Sequence, residues 1–136
     1  MHDAEPEKAW RPLRVVVAGG GTGGHLFPGI AVAGEFAVRN PQNRILFVGA
    51  GRPFEKDALA RAGYPQRTIA IEGIKGRGWW AKARAAMKIP GALFRSAGIL
   101  TEVQADLVVG VGGYAAGPVA LAAWIKGIPV VLCEQN

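Results

Sequence analysis

The chain has 136 residues, half of them apolar, with one cysteine and a formal net charge of +6. This length suits one domain with its own core, and the apolar content excludes a disordered chain. A single cysteine excludes an internal disulfide, and one cysteine with two histidines cannot assemble a structural zinc site.

The N-terminal residues 1–12 include acidic side chains and no continuous apolar run. This pattern is not that of a signal peptide, and we expect a flexible lead-in before a domain over residues 13–136. The run Arg14-Val15-Val16-Val17-Ala18 predicts the first strand, because β-branched apolar residues suit a strand that is buried on both faces.

A glycine-rich stretch follows this strand, with the sequence Gly19-Gly20-Gly21-Thr22-Gly23-Gly24-His25. Glycine adopts positive φ and allows a ligand to approach the backbone closely. Pro28 suits the first turn of a helix, which we predict over residues 28–39. Backbone N–H groups left free beside a helix N-terminus favour an anion, typically a phosphate. The candidate binding residues are therefore Gly21, Thr22, Gly23 and Gly24; the alternative is a tight turn that binds nothing.

His25 ends this stretch and is the candidate catalytic residue. An imidazole beside free N–H groups contacts a diphosphate, or takes a proton from a hydroxyl group near neutral pH. The alternative is a histidine that only hydrogen-bonds the loop.

Strands and helices alternate along the rest of the chain. We predict strands over residues 44–48, 67–71, 107–111 and 129–133, and helices over residues 54–62, 79–88, 92–103 and 118–126. Gly63 closes the first of these helices, and Pro90-Gly91 separates the second from the third. This alternation predicts an α/β fold with a Rossmann-like, doubly wound parallel sheet. Residues 107–125 lack charge over about the length of a membrane span, but their glycines and Pro118 favour a strand, a turn and a helix.

Two further segments are predicted at the carboxyl edge of this sheet, where ligands of such folds bind. Gly112, Gly113 and Tyr114 follow the fourth strand, and Gln135 and Asn136 follow the fifth. Tyr114 is either a lid over the ligand or a packed loop aromatic. Asn136 is either an amide for sugar hydroxyls or an ordinary turn residue.

The glycine-rich stretch also matches G-x-G-x-x-G at Gly19, Gly21 and Gly24, which is a weak sign of a dinucleotide site. No carboxylate follows the second strand to meet a ribose. Arg52 stands near that place and suits a 2′-phosphate, so an NADP-binding oxidoreductase domain stays as an alternative. The chain has no P-loop motif and no D-x-D pair, so the sequence does not support a P-loop NTPase or a metal-clamped nucleotide-sugar site.

A basic segment without acidic residues lies between Glu72 and Glu102. Its cations are interleaved with aromatic and aliphatic side chains, a mixture that suits an anionic bilayer surface. Nucleic acid is the rival partner, and a helix pair with its apolar face in the core is the plain alternative. The candidate membrane patch comprises Ile74, Lys75, Arg77, Trp79, Trp80, Lys82, Arg84, Lys88, Leu93 and Phe94, with Ile89 and Arg95 in the same segment.

From residue 14 to residue 136 the chain resembles the N-terminal domain of the MurG family of bacterial glycosyltransferases. The resemblance rests on five ordered motifs, which are Gly20-Gly21-Thr22-Gly23-Gly24-His25 with Phe27-Pro28-Gly29, Val48-Gly49 followed by Glu55, Gly73-Ile74-Lys75-Gly76-Arg77-Gly78, Gly112-Gly113-Tyr114 through Gly117-Pro118, and Glu134-Gln135-Asn136.

This resemblance implies a GT-B fold, in which two Rossmann-like domains enclose the active cleft. It implies transfer of GlcNAc from UDP-GlcNAc to lipid I (undecaprenyl-pyrophosphoryl-N-acetylmuramyl-pentapeptide) in peptidoglycan synthesis, with inversion and without a metal or cofactor. The family match also implies that the glycine loops hold the acceptor diphosphate. His25 matches the family histidine near the reacting groups and is the candidate base, with a contact to the phosphate as the alternative. Thr22, Gly23, Gly24 and Asn136 match family positions on the donor-sugar side. The basic segment matches a face that docks on the cytoplasmic side of the inner membrane, and no nucleic-acid partner is expected.

Two departures from the family pattern qualify these expectations. Cys133 stands where the family usually has a histidine, and the sequence stops at Asn136 where the family continues through a UDP-binding domain. We therefore expect negligible transferase activity from this chain alone. The alternative function is a non-catalytic membrane-docking subunit that recruits a catalytic partner.

Overall fold

The computed structural model describes residues 11–70, 76 and 78–133. Several predictions concern residues outside this set, namely the lead-in over residues 1–10, the patch residues Ile74, Lys75 and Arg77, and the site residues Gln135 and Asn136.

Five strands and four helices alternate along the described chain. In chain order they are β1 (Arg14–Gly19), α1 (Gly23–Arg39), β2 (Arg44–Gly49), α2 (Pro53–Ala62), β3 (Gln66–Thr68), α3 (Trp79–Glu102), β4 (Leu107–Gly112), α4 (Ala116–Ile125) and β5 (Val130–Leu132).

The strands form one parallel sheet in the order β3-β2-β1-β4-β5, so the predicted doubly wound sheet is confirmed. The central strand β1 pairs Val16 with Leu46 of β2 on one side and with Val108 of β4 on the other. The chain winds outwards from β1 in both directions. The crevice that binds ligands in such folds therefore lies at the carboxyl ends of β1 and β4.

The core has two layers, because alternate residues of β1 point to opposite faces of the sheet. Val16 and Ala18 pack in a cluster with buried residues of α3 and α4. Val15 and Val17 pack in a second cluster with α1 and α2, which also contains Phe47 of β2. The sheet is therefore covered by helices on both sides.

Helix α1 begins at Gly23, five residues earlier than predicted, and the expectation that Pro28 lies in its first turn is wrong. Thr22 is extended, with φ −135° and ψ 159°, and the helix starts directly after it. Gly23, Gly24 and His25 therefore belong to the first helical turn and not to the loop. Pro28 lies inside the helix, where its missing N–H leaves only the carbonyl of Gly24 without its usual donor.

Helix α3 is continuous, so the predicted break at Pro90-Gly91 is also wrong. A proline inside a helix removes one hydrogen bond, here the bond to the carbonyl of Ala86. Ala86 is exposed, and water can solvate the carbonyl that the proline leaves unpaired.

Helix α3 is also longer than the strands of the sheet on which it packs. Its 24 residues span about 36 Å, whereas six-residue strands span about 20 Å. Its buried residues, Ala92, Ser96, Ile99 and Leu100, all lie in its second half. The first half, residues 79–90, contains no fully buried residue and none that packs against either core cluster.

The uncharged residues 107–125 fold as β4, a short loop and α4, as predicted. Within the described residues, no helix combines the length and the hydropathy needed to cross a bilayer.

We expect the same substitution to change the free energy of unfolding by different amounts in the two halves of α3. Ile99 is 3% exposed and Ile89 is 50% exposed. We expect Ile99→Val to lower the free energy of unfolding by about 1 kcal/mol, because it removes a buried methylene group. The matched control Ile89→Val should change it by less than about 0.5 kcal/mol. Urea unfolding measures both, and equal losses would show that the first half of α3 is packed after all.

Candidate active site

The glycine-rich loops that follow β1 and β4 meet at the carboxyl edge of the sheet. We call residues 19–22 the first glycine loop and residues 112–115 the second glycine loop. The N–H of Gly20 donates to the carbonyl of Gly112 at 3.1 Å. A Cβ on Gly19 would lie 2.1 Å from that carbonyl oxygen, and one on Gly113 would lie 2.4 Å from the oxygen of Gly20. The loops thus touch backbone to backbone, at a distance that only glycine permits.

His25 lies in the first turn of α1, between these loops. Its Nδ1 is 3.4 Å from the hydroxyl oxygen of Thr22. The other edge of the ring lies against Gly112, where a Cβ would come within 2.8 Å of Cδ2 and 3.0 Å of Nε2. The position of the imidazole therefore depends on a glycine at residue 112.

The start of α1 presents unpaired backbone donors. Within the part of the chain that the structure describes, the N–H groups of Gly21, Thr22, Gly23 and Gly24 have no acceptor. No acidic side chain lies in the first turn of α1 to neutralise them. Such a helix N-terminus attracts an anion, as the sequence predicts.

Two cavities open on either side of His25. The first has a volume of about 460 Å³, and its lining includes both glycine loops together with His25, Arg52, Glu55 and Tyr114. The second has a volume of about 300 Å³ and is lined by His25, Gly112, Gly117, Leu132 and Cys133, among others. The ends of β1, β2 and β4 therefore converge on one site. The sequence predicted this position for the two glycine loops, and the structure adds residues that follow β2. Cys133 brings the end of β5 to the same edge.

Tyr114 lies on the rim of the first cavity and is 61% exposed. This exposure argues against the packed loop aromatic. Its role as a lid stays a prediction.

Sequence reasoning did not identify Glu55 as a site residue, although it lines the first cavity. Its side chain is only 3% exposed. Oε2 accepts a hydrogen bond from the N–H of Arg52 at 2.9 Å, whereas Oε1 is buried and has no partner among the described residues. The sequence signal, an acid at the third position of a helix, predicts only a helix cap.

The described part of the membrane patch lies on α3. Trp79 and Trp80 form an edge-to-face pair with ring centroids 5.2 Å apart, and they are 73% and 74% exposed. Phe94 is also exposed, as are the cations Lys82, Arg84, Lys88 and Arg95. Leu93 differs from these residues, because it is partly buried against the core. The interpretation that the apolar face joins the core is therefore correct for Leu93 and wrong for the tryptophans.

Among the described residues, no three His, Cys, Asp or Glu side chains gather closely enough to hold a metal ion.

A profile of the glycosyltransferase family 28 N-terminal domain matches residues 15–136. The chain belongs to this family. The family 28 assignment favours a sugar-transferring enzyme over the NADP-binding interpretation.

Two relatives of this family 28 domain carry the same name. It is 48% identical, over 91% of this chain and 34% of the relative, to the UDP-N-acetylglucosamine--N-acetylmuramyl-(pentapeptide) pyrophosphoryl-undecaprenol N-acetylglucosamine transferase of Syntrophus aciditrophicus (strain SB). It is 47% identical to the protein of the same name in Myxococcus xanthus (strain DK1622), over 91% of this chain and 32% of that one.

The crystal structure of Acinetobacter baumannii MurG has the same fold. It superimposes with a TM-score of 0.76 and 33% identity, covering 92% of this chain and 35% of that one. The family 28 domain therefore spans about a third of the length of the relatives that it matches.

The contact between Gly112 and His25 predicts a specific effect of Gly112→Ala. The added Cβ would overlap the imidazole at a φ of +102°, a conformation that alanine rarely adopts. We expect a loss of about 1–3 kcal/mol in the free energy of unfolding and a changed NMR shift for the ring protons of His25.

Gly117→Ala is the matched control, because a Cβ there meets nothing within 4 Å and the residue lies in helix α4. It should leave the His25 signals in place and raise stability by roughly 0.5–1 kcal/mol. Unmoved His25 signals in a folded Gly112→Ala variant would contradict the packing described above.

Proposed function

We propose that this domain is the acceptor-binding half of a peptidoglycan glycosyltransferase of GT-B architecture. The reaction is transfer of GlcNAc from UDP-GlcNAc to the C4 hydroxyl of the muramyl sugar of lipid I, which yields lipid II with inversion. The observation that carries this proposal is the meeting of two glycine loops around His25, in a chain 48% identical to a transferase of that name.

The acceptor diphosphate binds at the start of α1. The unpaired N–H groups of residues 21–24 supply hydrogen-bond donors, and the helix dipole adds positive potential. Arg52, which also lines the first cavity, adds a positive charge. Binding the diphosphate through backbone groups needs glycine, because a side chain would keep the phosphates away from the N–H groups.

His25 acts as the general base. The tautomer that serves this role carries its proton on Nδ1, 3.4 Å from the hydroxyl oxygen of Thr22, and keeps a lone pair on Nε2 for the substrate. The acceptor oxygen attacks the anomeric carbon as the bond from that carbon to the UDP oxygen breaks, and Nε2 takes the hydroxyl proton. The family match assigns Thr22, Gly23, Gly24 and Asn136 to the donor-sugar side of the cleft. In this proposal the start of α1 therefore faces the donor sugar as well as the acceptor diphosphate.

The UDP site belongs to a second GT-B domain, supplied in the same chain or by a partner. The support for this step is that the chain spans about a third of its transferase relatives. Without that domain, one wall of the active cleft is missing.

The first half of α3 docks on the anionic surface of the cytoplasmic leaflet, so the domain is a peripheral membrane protein. Exposed Trp79 and Trp80 enter the interface, and each nearby cation adds about 1 kcal/mol. Lys82, Arg84 and Lys88 lie on the same half of α3 as the tryptophans. A membrane-docked domain meets its acceptor without extracting the lipid tail.

Transfer of labelled GlcNAc to a lipid I analogue in anionic vesicles tests the reaction. The chain should be inactive alone and active when a MurG-type C-terminal domain is added in trans. Inactivity of both folded, associated pieces would contradict the transferase proposal and favour the membrane-docking subunit.

In the same two-piece assay, His25→Ala should lower turnover roughly 100-fold to 10,000-fold, because it removes the base. Val38→Ala is the control, since Val38 lies in the same helix and is 78% exposed. Full activity of a folded His25→Ala variant would remove this residue from the mechanism.

The docking surface is tested by sedimentation with vesicles that contain phosphatidylglycerol. Trp79→Ala with Trp80→Ala should weaken binding about tenfold or more, since a loss of 1.4 kcal/mol in apolar burial is a factor of ten. Trp124→Ala is the control, because Trp124 is equally exposed, at 74%, but lies on α4. Equal weakening by both variants, or by neither, would refute docking through α3.

A further inference from the structure

Glu55 is the one acidic side chain that is buried among the residues that the structure describes. It occupies the third position of α2, where Oε2 accepts the hydrogen bond from the N–H of Arg52. This helix cap accounts for one carboxylate oxygen. It does not explain why the other oxygen is buried, because a glutamate with an exposed side chain caps a helix equally well.

The second oxygen, Oε1, is buried without a hydrogen-bond partner in the described chain. Burying a carboxylate oxygen in this way costs free energy, and the helix cap made by Oε2 does not require it. The oxygen lies under the first glycine loop. A Cβ on Gly20 would come within 2.8 Å of Oε1, and one on Gly49 within 3.3 Å of Oε2. Glycine at both positions makes room for the carboxylate.

The negative charge of Glu55 therefore lies near one side of the first cavity. It lies directly beneath Gly20, whereas a Cβ on Gly21 would already be 4.0 Å from Oε1. The unpaired N–H groups continue from Gly21 to Gly24, away from the carboxylate. The cavity thus has a negative region beside Gly20 and a positive region at the start of α1.

We propose that Glu55 is a specificity-determining residue that sorts the groups of the ligand within this cavity. Its charge draws the hydroxyl and amide N–H groups of a sugar to the region beside Gly20, and it directs phosphate groups to the N–H groups at the start of α1. The inference rests on the proposed function, because a lipid-linked sugar diphosphate carries both kinds of group.

The sorting follows from the chemistry of a carboxylate. A carboxylate carries negative charge and only accepts hydrogen bonds, so even from beneath the loop it attracts hydroxyl and amide N–H groups, whose hydrogens carry partial positive charge. Phosphate oxygens are acceptors and negative, and their repulsion by a buried carboxylate is less screened than repulsion by a carboxylate in water. Without the charge of Glu55, phosphate groups would not be repelled from the region beside Gly20.

The test compares Glu55→Gln with the wild-type chain for two probes, inorganic pyrophosphate and N-acetylglucosamine. Glutamine keeps the size of the side chain and an acceptor for the N–H of Arg52, but it removes the charge. Binding is followed by the NMR shifts of the amides of residues 20–24. We expect pyrophosphate to bind about threefold tighter or more, and N-acetylglucosamine about threefold weaker or more.

Asp57→Asn is the matched control, because Asp57 is exposed on the same helix and the net charge changes equally. It should leave both affinities within a factor of about two. Glu55→Asp retains the charge and should retain the wild-type preference between the probes. That variant still tests the proposal if Glu55→Gln does not fold.

The outcomes separate this inference from the proposed function. If the wild-type chain binds both probes and Glu55→Gln changes neither affinity, or changes both in the same direction, the role of Glu55 is refuted alone. A Glu55→Asp variant that has lost the wild-type preference also refutes it. If the wild-type chain binds neither probe, the acceptor site itself is refuted, and the sorting role falls with it.

Discussion

The site depends on one backbone contact, the hydrogen bond from the N–H of Gly20 to the carbonyl of Gly112. It joins the loops that follow the two central strands at the point where the sheet reverses its winding direction. The contact requires glycine at three positions, because a Cβ on Gly19, Gly112 or Gly113 would overlap the opposite loop or His25. The glycines serve the contact between the loops as well as the approach of a ligand.

This contact also explains how one histidine serves both cavities. The start of α1 follows the first glycine loop without a spacer, so His25 projects from the first helical turn between the loops. The same turn presents the unpaired N–H groups. The proposed base and the proposed anion-binding helix N-terminus are therefore held by one short segment, whose position is set by the strand before it and the loop beside it.

The proposed membrane face arises from the difference in length between α3 and the strands. Helix α3 is longer than the strands that it crosses, so its second half packs on the core and its first half does not. Aromatic residues in that first half stay exposed next to lysine and arginine. The proposed membrane face and the core are thus two parts of the same helix, separated near Pro90.

The sequence by itself determined the alternation of strands and helices, the parallel sheet and the edge at which the site lies, because apolar periodicity and glycine positions are local signals. It did not determine where α1 starts or that α3 continues through Pro90, since prolines are tolerated where the affected carbonyls can be solvated. Only the tertiary structure decided that Glu55 is buried and that His25 lies on Gly112. These facts depend on packing between segments far apart in the chain, and no local pattern specifies it.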